Sequence, residues 1–211
     1  MIKIDDWVIE KGEKAQGKIK ISGNGMAMPA TVICGVEDGP TVLITAGIHS
    51  AEYVGIQAAM ELAKEFQPEE LKGNVIIVPL VNVSGFEHRT MSLVYEDGKN
   101  LNRVFPGDPE GTAADRIAYT IVTKLFSIAD YYIDLHSGDG FEQLHPYVYY
   151  VGVVDEKTAE KSLHIGTAYR RKICSPIPQP PQVAPIIMLL LLEFQVFLSK
   201  EADTATGPGR K

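Results

Sequence analysis

Gly47-Ile48-His49-Ser50-Ala51-Glu52 and Asp134-Leu135-His136-Ser137 lie far apart in the chain, yet together they hold two histidines and a carboxylate that could share one metal ion. A catalytic zinc site needs three protein ligands and one open position for water. His49 and Glu52 are three residues apart, a spacing that puts both side chains on one side of a helical turn. His136 ends the run Ala129–Leu135, which predicts a buried strand delivering the ring at its end. Alone, the His-x-x-Glu spacing is better described by a partly buried histidine beside an exposed glutamate, with Ser50 capping a helix and no metal.

The elements around these residues must place them. Pro40–Ala46 is short, apolar and partly β-branched, which predicts a buried strand. Gly47 permits a tight turn, and Tyr53–Ala63 continues with helical spacing. His49 and Glu52 therefore fall where a strand ends and a helix begins, the place where open α/β sheets carry their sites. Lys18–Ile21 and Ala30–Gly35 predict an early β pair, and Asn74–Val81 a further strand. A long polar loop follows, then a helix over Ala114–Ser127, the strand ending at His136, a strand at Tyr147–Tyr150 and a helix after Asp155. This alternation predicts an α/β sandwich with a mixed, mostly parallel central sheet.

The polar loop carries a third segment, Asp97-Gly98-Lys99-Asn100-Leu101-Asn102-Arg103-Val104-Phe105-Pro106-Gly107, with Arg89 upstream in Glu87-His88-Arg89. An arginine fork beside an amide is suited to gripping a carboxylate. Three segments in this order, Gly-Ile-His-Ser-Ala-Glu at 47–52, Asn-Leu-Asn-Arg-Val-Phe-Pro-Gly at 100–107 and Asp-Leu-His-Ser-Gly at 134–138, resemble the succinylglutamate desuccinylase/aspartoacylase family of the zinc carboxypeptidase superfamily. The resemblance runs from about Thr31 to Tyr169 and implies a three-layer sandwich. It implies one zinc ion on His49, Glu52 and His136, a substrate carboxylate held by Asn102 and Arg103, and a scissile carbonyl polarised by Arg89. Arg89 equally fits an ordinary surface arginine. Asp134, two residues before His136 on one strand face, reads either as a carboxylate orienting a ligand histidine or as a strand-end polar residue. His88 reads as a polar loop residue, His145 as a surface histidine with a substrate-facing role as the alternative, and His164, on the helix after Asp155, as structural or exposed.

At 211 residues the chain can hold one good core. A net charge of −7 argues against nucleic acid, which needs a basic surface. Two cysteines form no disulfide framework, and the amino terminus lacks the apolar stretch of a signal peptide, so a cytoplasmic enzyme is the plain expectation. No membrane partner is expected; a homo-oligomer is allowed. The activity implied is hydrolysis of amide bonds in N-acyl amino acids or related carboxylate-bearing small molecules. The alternatives are a catalytically inactive zinc-binding chain and a metal-free module that holds an acidic ligand through Arg103.

The character of the chain changes after Lys172. Ser175–Pro185 is proline-rich, and Ile186–Leu192 is an apolar run far shorter than the roughly 20 residues of a membrane span. In the frame that starts on each codon's third base, permitted wobble choices let Leu192 through Gly209 encode Gly-Ile-Pro-Ser-Ile-Leu-Ile-Glu-Arg-Gly-Gly-Tyr-Cys-Asn-Trp-Ser. The Ile-Glu-Arg-Gly-Gly pattern resembles the family segment that carries the catalytic glutamate. Residues 1–172 then read as a carboxypeptidase-like catalytic domain incomplete at its carboxyl end, and 173–211 as a poorly structured out-of-frame tail. The general-base glutamate would be encoded across Ser199 and Lys200, and neither Glu193 nor Glu201 stands in the family pattern.

Overall fold

The computed structural model describes residues 1–23, 25–144, 147–150, 156–168, 174–176 and 187–192. Its strands are β1 (Ile2–Ile4), β2 (Trp7–Ile9), β3 (Lys14–Lys20), β4 (Ala27–Cys34), β5 (Glu37–Ala46), β6 (Lys72–Val78), β7 (Tyr131–His136), β8 (Tyr147–Tyr150), β9 (Cys174–Pro176) and β10 (Ile187–Leu192). The α-helices are α1 (Tyr53–Glu65), α2 (Val83–His88), α3 (Ala113–Thr120) and α4 (Glu156–Ala168). β1 and β2 form a hairpin; the other eight strands form one sheet in the order β3-β4-β6-β5-β7-β10-β8-β9. The centre is parallel, with β5 between β6 and β7 and β10 beside β7, while β3-β4, β4-β6 and β10-β8 pair antiparallel. This is the mixed, mostly parallel α/β sandwich expected.

Alternation along the central strands divides the core into two layers. Val78, Ile76 and Leu43 face one side, where they meet Ile117, Ile121 and Leu125 and the β1-β2 hairpin. Ile77, Val75 and Ile44 face the other, against Ile56, Ala59 and Ala63 of α1, with Ile165 of α4 packed on the same cluster. Strands buried on both faces read as near-continuous apolar runs, which is why the 41–46 segment was legible as a central strand. α1 comes unusually close to β7: a Cβ at Gly55 would stand 2.8 Å from the Leu135 carbonyl oxygen. That approach seats the start of α1 over the strand that carries His136.

Three local features differ from the sequence-based expectation. The helix expected over Ala114–Ser127 holds α geometry only to Thr120, then widens into a π turn over Ile121–Leu125 and tightens into a 3-10 turn over Phe126–Ile128. The β-branched run Thr120–Thr123 weakens the α ladder there, and the Thr120 and Thr123 hydroxyls donate back to the Arg116 and Tyr119 carbonyls. The long polar loop contains α2, whose amino end is capped by Asn82 accepting from the Gly85 amide. Its residues 97–103 are pinned to α3: the Asp97 carboxylate accepts from the Thr112 hydroxyl and Ala114 amide, and Lys99 pairs with Asp115 at 2.7 Å. Within the carboxyl-terminal segment, 174–176 and 187–192 are strands of the main sheet; the rest of the expected tail, with Glu193, Ser199, Lys200 and Glu201, lies outside the described residues, as does His145.

Candidate metal centre

β5 and β7 are parallel neighbours, with Thr45 opposite Asp134 and Ala46 opposite Leu135. Both strands therefore end at the same carboxyl end of the sheet, one entering the turn at Gly47, the other ending on His136. Gly47 has a φ of 65°, and a Cβ there would stand 2.8 Å from Leu80 Cδ1, so glycine is needed for the turn. His49 and Glu52 lie in a hydrogen-bonded turn just before α1, with the Glu52 amide donating to the His49 carbonyl at 3.2 Å, rather than within the helix. Ser50 caps no helix; its hydroxyl donates to the Met91 carbonyl and ties this turn to the polar loop.

Glu52 sits between the two rings. Its Oε1 is 2.9 Å from His49 Nδ1, and its Oε2 is 2.7 Å from His136 Nδ1. The ring centroids are 5.2 Å apart and nearly perpendicular. One potential ligand atom from each of the three residues lies within 4.8 Å of the other two. The distal nitrogens are engaged elsewhere. His49 Nε2 lies 3.2 Å from Asn100 Oδ1, and His136 Nε2 lies 2.7 Å from Asp134 Oδ2. Asn100 Oδ1 also accepts from the Asn102 amide, which identifies that atom as the oxygen. Each distal nitrogen faces an acceptor, so a neutral ring that keeps its proton there would offer its Nδ1 lone pair to a cation beside Glu52. Two imidazoles, one carboxylate and oxygen partners behind each imidazole fit a metal site.

The electrostatics call for a cation at this point. Glu52, Asp134 and His136 are all at least 95% buried. Burial by itself would raise the Glu52 carboxyl, but hydrogen bonds and charge from His136 and His49 outweigh it and hold it below its ordinary value. For His136, burial disfavours the charged ring; the Asp134 carboxylate, and then Glu52, overcome that and push its pKa up to about 10. In the metal-free chain a proton on His136 thus serves where a cation would. Metal binding must displace it, so affinity is expected to rise about tenfold per pH unit through the neutral range and level off near pH 10. Calorimetric titrations in buffers of different ionisation enthalpy at pH 7 to 9 should detect the released proton; uptake without proton release would contradict this charge state.

The other sequence-predicted residues lie on the polar loop. Arg103 is exposed, with Nη1 donating to the Asn102 carbonyl at 3.1 Å. Arg89 terminates α2 in the left-handed region at a φ of 57°, and its exposed guanidinium makes no hydrogen bond or ion pair among the described residues. It stands two positions before Met91, whose carbonyl accepts from both Ser50 Oγ and the Ala51 amide, so the loop bearing it abuts the turn of His49. His88 stacks on Tyr95 at 3.6 Å. Two residues were missed by sequence reasoning. Asn100 stood within a quoted segment, but only tertiary structure brings it to His49. Asp139 has a buried Oδ1 without a hydrogen-bond partner among the described residues, and desolvation followed by the Glu52 charge raises its pKa.

With this geometry in place, the chain can be set beside known proteins. The profile of the succinylglutamate desuccinylase/aspartoacylase catalytic domain matches residues 38–167. The chain belongs to this family. An N-alpha-acetyl-L-2,4-diaminobutyric acid deacetylase of Halomonas elongata is 40% identical over 132 residues, covering 62% of this chain and 35% of that protein. Among solved structures, a succinylglutamate desuccinylase/aspartoacylase of Rhodobacter sphaeroides superposes with a TM-score of 0.77 at 27% identity, over 89% of this chain and 60% of its own. The ectoine utilization protein EutE of Ruegeria pomeroyi, in its product-bound form, gives 0.75 at 25% identity over 89% and 61%. A carboxypeptidase A of Helicoverpa armigera shares the fold, with a TM-score of 0.61 at 15% identity. The chain spans about a third of that curated relative's length and about three fifths of these solved relatives. No helix among the described residues is long and apolar enough to cross a membrane.

Proposed function

We propose that this chain derives from a zinc-dependent hydrolase that removes the acyl group from N-acyl amino acids or related carboxylate-bearing amides. The observation that carries the reading is the His49–Glu52–His136 cluster, with both Nδ1 atoms turned toward Glu52 and both distal nitrogens held by oxygen. His49, Glu52 and His136 would hold the ion. Zinc held by two histidines and one carboxylate acidifies water and polarises a carbonyl oxygen. Arg103, exposed on the loop that reaches His49 through Asn100, would grip the substrate carboxylate with Asn102 beside it. Arg89 would lie against the developing oxyanion, where a fixed positive charge lowers the barrier. The likeness to a deacetylase of an acetylated diamino acid supports an acylated amino acid as substrate class, and the acidic composition supports a small molecule over nucleic acid. A cytoplasmic location suits the two cysteines, of which Cys34 is a buried free thiol.

The test is release of free amino acid from a panel of N-acetyl amino acids by zinc-loaded protein, together with metal analysis of protein purified without chelators. Zinc at one per chain, with amine release abolished by a chelator, is the expected result. Arg103→Ala should raise KM about 10- to 100-fold with kcat less affected, since a charge-assisted hydrogen bond contributes about 1.5–3 kcal/mol. A second reading follows from the tail, where no printed glutamate stands in the family pattern: the 211-residue chain binds zinc but turns over little. Stoichiometric zinc without amine release would favour it. A chain free of zinc that still binds an acidic ligand would instead favour the metal-free module.

A further inference from the structure

Behind His136 the polar contacts continue away from the metal centre. Asp134 Oδ2 accepts from His136 Nε2, while Asp134 Oδ1 lies 2.6 Å from the Thr45 hydroxyl, which in turn lies 2.8 Å from the Tyr132 hydroxyl. Thr45 is 0%, Asp134 2% and Tyr132 4% exposed, so water does not supply alternatives. The arrangement follows from strand register. Tyr132, Asp134 and His136 alternate onto one face of β7, and Thr45 is directly opposite Asp134 on β5. The ring of Tyr132 is fixed by an edge contact with Phe126 at 4.7 Å.

We infer that Thr45, backed by Tyr132, is a positioning residue of the metal centre: its hydroxyl fixes the Asp134 carboxylate so that His136 presents Nδ1 to the ion. This inference rests on the metal-centre reading proposed above. The direction of each hydrogen bond follows from proton inventory. An ionised carboxylate only accepts, so Asp134 accepts hydrogen bonds from both the Thr45 hydroxyl and His136 Nε2. The single hydroxyl proton of Thr45 goes to Asp134, so Tyr132 donates toward Thr45 Oγ1 while also interacting with the Asp134 carboxylate itself. Tyr132 keeps its proton, because burial and the Asp134 charge push its pKa well above the ordinary value. With both oxygens engaged, the Asp134 carboxylate is held as an acceptor facing His136 Nε2, which keeps the imidazole proton on that nitrogen when the ring is neutral. Partners of this kind behind a ligand histidine typically change metal affinity about 10- to 100-fold. Thr45 acts one bond further out, so the lower end of that range applies.

The experiment uses the full chain and compares wild type, Thr45→Val, Thr45→Ser and Tyr132→Phe. Zinc affinity is read by competition with a chromophoric chelator, and ligand geometry by the visible absorption of cobalt(II)-loaded protein. Thr45→Val keeps shape and loses the hydroxyl; its zinc affinity should fall about tenfold, with an altered cobalt spectrum. Thr45→Ser should restore both, and Tyr132→Phe should show a smaller loss of the same sign. Wild-type affinity and an unchanged cobalt spectrum in Thr45→Val would overturn the inference while leaving the metal centre intact. Wild-type protein that takes up neither ion would overturn both. Should Thr45→Val fail to fold, Tyr132→Phe decides: a weakened site supports the inference, and one identical to wild type overturns it.

Discussion

His136→Ala is expected to abolish stoichiometric zinc binding and, in the metal-free chain at neutral pH, to destabilise the fold by about 3–5 kcal/mol, the cost of removing one partner from a buried ion pair. The effect should be this large because His136 is paired on both sides, with Asp134 Oδ2 and Glu52 Oε2 each at 2.7 Å, and both carboxylates are buried. Alanine leaves Asp134 Oδ2 without its partner and Glu52 Oε2 with the Ser137 amide at 3.2 Å in place of a charged one. The pH dependence has a definite sign. The folded pKa of His136 is raised from 6.5 to about 10, so its contribution is fully present below about pH 6.5 and is lost as pH rises through about 10. Denaturant unfolding of metal-free wild type and mutant should therefore show a wide gap at pH 6 that narrows above pH 10. Retained stoichiometric zinc in the mutant would sink the ligand assignment, and a gap that widens with pH would sink the charge assignment.

Translating the tail in the alternative frame is expected to raise deacylation of N-acetyl amino acids about 10²- to 10⁴-fold over the 211-residue chain, the usual contribution of a positioned general base. The basis is that permitted wobble choices let Leu198 to Asp203 encode Ile-Glu-Arg-Gly-Gly in that frame, which would supply a glutamate across Ser199 and Lys200. The comparison is kcat/KM for the two proteins at matched zinc content. Equal rates, or an extended protein that takes up no metal, would rule out this reading of the tail. Sequencing the source DNA from the Gly166 codon to the stop gives an independent check, since an inserted or missing base between Gly166 and Val183 is expected.

Much of the scaffold was legible because its signals are local. Largely apolar runs over Pro40–Ala46, Asn74–Val81 and Ala129–Leu135 predicted buried strands, and the helical spacing of Tyr53–Ala63 predicted the helix after the turn. The break in the helix after Thr120 was missed because it depends on a balance between β-branched crowding and hydroxyl back-bonding that periodicity does not register. α2 was missed because Ser84 and Gly85 are poor helix formers. Its one advance signal was Asn82, which accepts from an amide three residues on.

By itself the sequence determined the residue types at the centre and the elements that carry them: His49 and Glu52 in a turn after one buried strand, His136 at the end of another. It could do so because spacing along a strand or a turn dictates which side chains emerge together. Only the tertiary structure decided which nitrogen of each imidazole faces Glu52, that Asn100 closes on His49, and that Thr45 and Tyr132 stand behind Asp134. Those contacts arise between segments distant in the chain and depend on the register of β5 against β7. A shift of one residue in that register would carry Thr45 to the opposite face, and no local pattern in either strand records the difference.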